Sequence, residues 1–134
     1  MRLDSTIMGG DEQLDIEYKI VHNVCGLDFN DYLKDKKLLT KDLFENNLDK
    51  IMKIIKSRHN SRIAYQVVGR FVLLLGIDIP IETKNFIIHA ADWRYEEDLW
   101  SVNFLEERKF YLKDFRKKIL TYRSGVPNPL IEDL

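Results

Sequence analysis

Four carboxylates, Asp11, Glu12, Asp15 and Glu17, follow directly on Gly9 and Gly10. Glycines admit tight turns and close backbone approach. Clustered carboxylates are the usual ligands of hard cations such as Mg²⁺ and Ca²⁺. Asp11 and Asp15 stand four residues apart, so on a helix they share a face, and Asp4 is near enough in sequence to join them. A metal centre on Asp4, Asp11 and Asp15, in a metal-dependent enzyme or ligand sensor, is therefore one reading. Against it, no calcium-loop spacing is present and no second acid cluster completes a coordination shell. A phosphate cradle fits less well still, because the carboxylates repel an anion and no Gly-Lys-Ser/Thr follows. The plainer reading is a helix start: the glycines turn the chain, Asp11 caps, and the acids lie where the helix dipole favours negative charge.

Gly9-Gly10-Asp11-Glu12 also shares four letters with the diguanylate cyclase signature Gly-Gly-Asp-Glu-Phe. The fifth residue here is Gln13, and the eight residues ahead of the motif leave no room for the preceding elements of a cyclase domain, nor is the chain long enough to supply them afterwards. Elsewhere chemistry is sparse. His22, His59 and His89 form no ligand pair, and Cys25 is alone, so it reads as a small buried hydrophobe. No serine sits in a nucleophile elbow. With no catalytic constellation and no cofactor motif, the balance is against an enzyme. Two other sets of residues stand out. Lys109, Lys113, Arg116, Lys117, Lys118 and Arg123, with Tyr111 and Tyr122 between them, would give a basic helix able to meet phosphates. Glu106, Glu107 and Asp114 on the same stretch argue for an ordinary solvated face instead. Trp93, Arg94, Tyr95 and Trp100 form an aromatic segment that either anchors helices in the core or, exposed, presents partner-binding hot spots.

The elements that must position these residues follow from the apolar pattern. A chain of 134 residues, 45% hydrophobic and 32% charged, suits one folded domain and is too apolar for disorder. Residues 11–24 read as a helix packed through Leu14, Tyr18, Val21 and Cys25 and ended by Gly26. A polar connector is expected from Asp28 to Leu39. Thr40 caps a second helix with Leu43, Phe44, Asn47, Leu48, Ile51, Met52 and Ile55 on one face. From Ser61 to Gly76 the pattern is apolar nearly all round, which predicts a central buried helix. Asp78-Ile79-Pro80 leads into a fourth helix packed through Ile81, Phe86, Ile87, Ala90 and Ala91. The last helix runs from about Val102 to Arg123, with Leu105, Leu112, Phe115, Ile119 and Tyr122 inward. The expectation is an all-α single compact domain of about five helices with a central antiparallel helical hairpin, spanning 1–125, and a loose or docked C-terminal tail over 126–134.

Net charge is −1, so nothing pulls the whole chain toward nucleic acid or an anionic membrane. The charge is zoned, however: net −5 over 1–33, +5 over 34–63, −5 over 64–107 and +6 over 108–123. The plainer reading is solvated helix faces; the alternative is that acidic and basic segments face each other in the fold, or a partner. No apolar run approaches a bilayer span and no signal peptide is evident, so a reducing cytoplasm is the expected setting.

Gly10-Asp11-x-x-Leu14-Asp15, the central apolar hairpin and the arginine- and lysine-rich last helix together resemble a bacterial domain of unknown function. Its members open with W-G-x-G-x-F-x-[ND]-[DE]-x-A-x-D-[WF]. Gly10, Asp11 and Asp15 fit that motif; its tryptophan and phenylalanine are missing, with Ile7 and Met8 ahead of the glycines. The resemblance implies a small, soluble, all-helical bacterial or phage protein and carries no activity. The leading expectation is a non-enzymatic factor of immunity or defence-modulating type that binds another protein through Trp93, Arg94, Tyr95 and Trp100. The metal-dependent alternative and nucleic-acid binding through the last helix are the rival readings. Oligomeric state is left open.

Overall fold

Near-continuous apolar character over residues 61–75 demands burial on every side, and the fold is arranged to supply it. The computed structural model describes residues 4–58 and 61–134. Its α-helices are α1 (Asp11–Tyr18), α2 (Phe29–Lys34), α3 (Lys41–Asn46), α4 (Leu48–Ser57), α5 (Ser61–Leu75), α6 (Ile81–Ala90) and α7 (Val102–Leu120), with no strand among the described residues. Every residue of α5 from Ile63 to Leu73 is buried, and α1, α4, α6 and α7 all pack against it. The fold is therefore all-α, built around one helix.

The close fit of α6 and α7 on α5 depends on Gly69. A Cβ there would lie 2.5 Å from Phe115 Cζ and 2.6 Å from Ile87 Cγ2. Along α5 and α6, Gly69 meets Ile87 and Gln66 meets Ala90, so the contacts run in opposite order along the two chains. Gly76, at φ +73°, ends α5 in the left-handed conformation that glycine adopts without strain.

Among the described residues seven α-helices replace the expected five, for local reasons. The single helix expected from Lys41 onward is broken at Asn47, whose backbone (φ −110°, ψ 10°) leaves helical geometry and whose Nδ2–H donates to the Leu43 carbonyl at 2.9 Å. Thr40 caps α3, as expected, by accepting from the Leu43 N–H. Inside the expected polar connector, Asp28 accepts from the Asp31 N–H and starts α2. That short helix buries Tyr32, and no helical period six residues long would have revealed it.

The first helix turns a different face inward than the apolar spacing suggests. Leu14 and Tyr18 are exposed, while Gln13, Ile16, Glu17 and Ile20 are buried; Val21 is buried as expected. Two causes combine. Residues 19–24 wind as a wider π-type segment, which shifts the register of everything after Tyr18. Glu17 is drawn inward by partners from elsewhere: Tyr32 Oη–H donates to it at 2.8 Å and the Arg70 guanidinium lies 3.6 Å away. On α6, likewise, Ile81 and Phe86 are exposed, and of the expected residues Ile87, Ala90 and the following Ala91 reach the core.

The last nine residues are docked. Leu130 is buried, and the Asn128 N–H donates to the Leu73 carbonyl at 2.7 Å. Asp133 takes two hydrogen bonds from the Arg70 guanidinium at 2.8–3.0 Å. Glu132 accepts from the Ile7 N–H at 2.7 Å, joining the two ends of the described chain.

Gly69→Ala is expected to destabilise the fold by about 1–3 kcal/mol through overpacking against Phe115 and Ile87. Urea unfolding checks this. A neutral or stabilising result, as an ordinary helix-propensity gain would give, would show that α6 and α7 do not seat as described.

Candidate functional site

The acids of the N-terminal segment are dispersed onto separate tasks. Asp4 is bound to Thr6, whose N–H and hydroxyl both donate to its Oδ1. Gly9 lies so close that a Cβ would sit on Asp4, which explains the glycine without a ligand. Asp15 pairs with Lys19 at 3.3 Å and Arg58 at 3.5 Å. Asp11 is exposed, and it does not cap: Gly10 occupies the cap position, without a side chain to accept a hydrogen bond. The glycine turn enters the helix one residue earlier than a capping aspartate requires. Among the described residues no group of three or more His, Cys, Asp or Glu is placed to hold a metal.

Cys25 is half-buried and burial pushes its thiol up to about 11, so it is protonated at neutral pH and a poor nucleophile. His22 sits against the Leu27 carbonyl at 3.0 Å. His89 lines a cleft described below, and His59 lies outside the described residues.

The aromatic segment is where the structure concentrates its polar geometry. Ala91 ends α6, and Asp92 accepts from the Arg94 N–H to start a tight helical turn over Trp93–Leu99. Glu96, on the inner side of that turn, is only 2% exposed. It accepts from Arg108 Nε at 2.8 Å, Gln66 Nε2 at 2.7 Å, Trp100 Nε1 at 3.1 Å, and from Arg62. Arg108 is itself 1% exposed. Its remaining donors reach Gln66 Oε1 at 2.8 Å and the Thr6 carbonyl at 2.8 Å. Gln66 also donates to the Ala90 carbonyl at 2.8 Å. One carboxylate thus joins α5, the end of α6, the 93–99 turn, α7 and the N-terminal loop. Burial alone would raise the Glu96 carboxyl. The hydrogen bonds and charge of Arg108, with those of Gln66 and Arg62, outweigh it and hold the group at about 2.

This interior fixes what the outside presents. The two tryptophans face partly inward. Trp100 is tied to Glu96 and lies under Arg108, whose guanidinium carbon is 5.4 Å from the ring centroid. Trp93 packs against the core, with Lys109 Nζ 3.9 Å from its ring centroid. The residues left on the crest are Tyr95, 60% exposed, and Leu99, 67% exposed, with Phe104 exposed just beyond at the start of α7. Arg94 is exposed and holds Asp92 through paired hydrogen bonds of 2.7 and 3.0 Å.

A cleft lies on each side of this ridge. Arg62, Tyr65, Phe86, His89 and Tyr95 line one, of about 220 Å³, with the Tyr65 and Phe86 rings stacked at 5.4 Å. Asp92, Trp93, Arg94, Lys113 and Arg116 line the other, of about 370 Å³. The sequence singles out Trp93, Arg94, Tyr95 and Trp100, and the structure brings all four into one ridge. The sequence gives no hint of Glu96 or Arg108 as the hub, nor of Leu99 on the crest. The one available signal is zonal: Glu96 belongs to an acidic stretch and Arg108 opens the basic one that follows.

The basic helix is partly spent in the same way. Arg108 is buried, Lys109 is bridged to Glu106 and Lys118 reaches Asp114 and the Pro129 carbonyl. The chain matches no protein-family model, no curated protein and no solved structure. No helix among the described residues is long and apolar enough to cross a membrane.

Glu96→Gln leaves Arg108 and Arg62 without their counter-charge and is expected to cost about 3–5 kcal/mol in urea unfolding near neutral pH. The group's folded pKa is depressed, so its contribution is complete above its ordinary value of 4.5 and fades as pH falls through about 2. The stability gap between wild type and variant should therefore narrow as pH is lowered across that window. A gap independent of pH would mean that the lost stability is packing and not charge.

Proposed function

We propose that this chain is a non-enzymatic protein-interaction factor whose contact surface is the 92–100 ridge. The observation carrying this reading is the exposure of Tyr95 and Leu99 on a turn held rigid from beneath by Glu96. An exposed aromatic and an exposed leucine on a mobile loop would lose ordering entropy on binding; on a preorganised turn that cost is already met by folding. Trp93 and Trp100 take the role of supports, and Arg94 and Tyr95 that of contacts. The flanking clefts fit the pattern of a ridge whose sides receive a partner's side chains. A factor that inhibits or confers immunity by covering another protein's surface, of bacterial or phage origin, is the class this suits.

The reading is tested with tagged full-length protein and a Tyr95→Ala, Leu99→Ala double variant. Both substituted residues are exposed, so the thermal midpoint should change little. Proteins captured by wild type from a bacterial lysate should be lost with the variant. Capture of the same proteins by both, or of none by wild type, would overturn the assignment.

A further inference from the structure

The cleft on the α7 side of the ridge has an excess of positive charge that the fold itself does not use. Lys109, Lys113 and Arg116 recur at i, i+4 and i+7 and so share one face of α7. Arg94 approaches the same cleft from the ridge, and Asp92 is its one carboxylate. Asp92 is committed to Arg94 at 2.7 Å, whose hydrogen bonds hold its carboxyl at about 2, so it stays ionised and cancels a single charge. Lys109 is held over Trp93 and bridged to Glu106. Lys113 and Arg116 are exposed, line the cleft and make no ion pair among the described residues. Arg94, Lys113 and Arg116 thus share one carboxylate, Asp92, on which the charge of Arg116 acts as well as that of Arg94, and the excess of cations sits around a cleft whose wall is almost wholly apolar.

Resting on the reading of the ridge as a contact surface, we propose that this cleft receives an acidic segment of the partner protein, its carboxylates meeting Lys113 and Arg116 while the ridge packs beside it. The extent of the charge selects this occupant over a nucleic acid. Glu97 and Asp98 are exposed on the ridge and Glu106 and Glu107 on the first half of α7, so acidic side chains are interspersed with the basic ones, which continue past the cleft through Lys117 and Arg123. A polyphosphate backbone tracking the ridge or the first turns of α7 would meet those carboxylates, and the whole chain carries net charge −1. A peptide with a few adjacent carboxylates meets the cleft's cations without needing a longer basic track. Paired charges at a partly enclosed contact also set partner choice and association rate.

The test uses the full chain and a fluorescein-labelled peptide rich in Asp and Glu, followed by anisotropy at low and physiological salt. A labelled oligothymidylate of equal net charge runs beside it. The peptide should bind saturably, more weakly as salt rises, and a Lys113→Glu, Arg116→Glu double variant should weaken it by about tenfold or more. That variant should keep the wild-type thermal midpoint, since neither side chain supports the core, and should gain affinity for a lysine-rich peptide. Equal peptide affinity in variant and wild type, no saturable peptide binding below about 1 mM, or tighter binding of the oligothymidylate would each overturn the proposal. The ridge is judged separately. If capture depends on Tyr95 and Leu99 but not on Lys113 and Arg116, the acidic-segment inference falls and the contact surface stands. If the peptide binds the cleft while the Tyr95→Ala, Leu99→Ala variant captures as wild type does, the ridge reading falls instead.

Discussion

Arg108 and Glu96 meet in the interior at 2.8 Å, and the arrangement of the remaining elements depends on that pair. Removing a carboxylate and a guanidinium from water costs several kcal/mol for each ion. Their attraction offsets this only if nearly every donor and lone pair is also satisfied. The surrounding groups meet that condition: Gln66 donates to Glu96 and accepts from Arg108, Trp100 and Arg62 donate to Glu96, and the Thr6 carbonyl accepts from Arg108. An apolar replacement could fill the same space with comparable stability, so what the network contributes is specificity of arrangement. It can be satisfied only when α5, α7, the 93–99 turn and the N-terminal loop are all in place.

A second buried cluster does the same for the chain ends. Arg70, on α5, faces Glu17 of α1 at 3.6 Å and Asp133 at 2.8 Å, while Glu17 also accepts from Tyr32 of α2. Beside it, Glu132 takes the N–H groups of Ile7 and Met8. Residues more than a hundred positions apart are thereby joined around one helix. The two clusters sit on opposite accounts of charge: Glu96 is shared by two arginines, whereas Arg70 is shared by two carboxylates. Polar residues of α5 thus carry the long-range order, and its apolar residues carry the burial.

Those facts separate what could be read from the chain and what could not. The central helix, its left-handed Gly76 terminus, the Thr40 cap and the inward stripe of Leu112, Phe115, Ile119 and Tyr122 follow from local pattern, because period and capping are local properties. The buried face of α1 does not, because Glu17 goes inside only when Arg70 and Tyr32 are there to meet it, and Leu14 and Tyr18 are displaced outward as a consequence. The break at Asn47 and the helix at Phe29 are single-residue events set by one side-chain hydrogen bond each. At the ridge, the composition of 93–100 marks the segment as unusual, but which of its residues face outward is decided by Glu96, whose partners outside the segment come from α5 and α7.

Charge zoning links these observations to the surface. Acidic and basic stretches do pair across the fold: Asp15 with Arg58, Glu17 with Arg70, Glu96 with Arg62 and Arg108. Had all the zones cancelled internally, no face would carry a net sign. The last basic stretch does not cancel, because its partners are consumed unevenly. Arg108 takes Glu96 into the core, Lys118 takes Asp114, and Lys109 turns to Trp93 and Glu106. Lys113 and Arg116 line a cleft where Asp92 is the carboxylate on hand, and Arg94 and Arg116 both draw on it. The same buried carboxylate that makes the ridge rigid therefore also leaves it with a basic flank. Shape on the crest and charge beside it have a common origin in the interior.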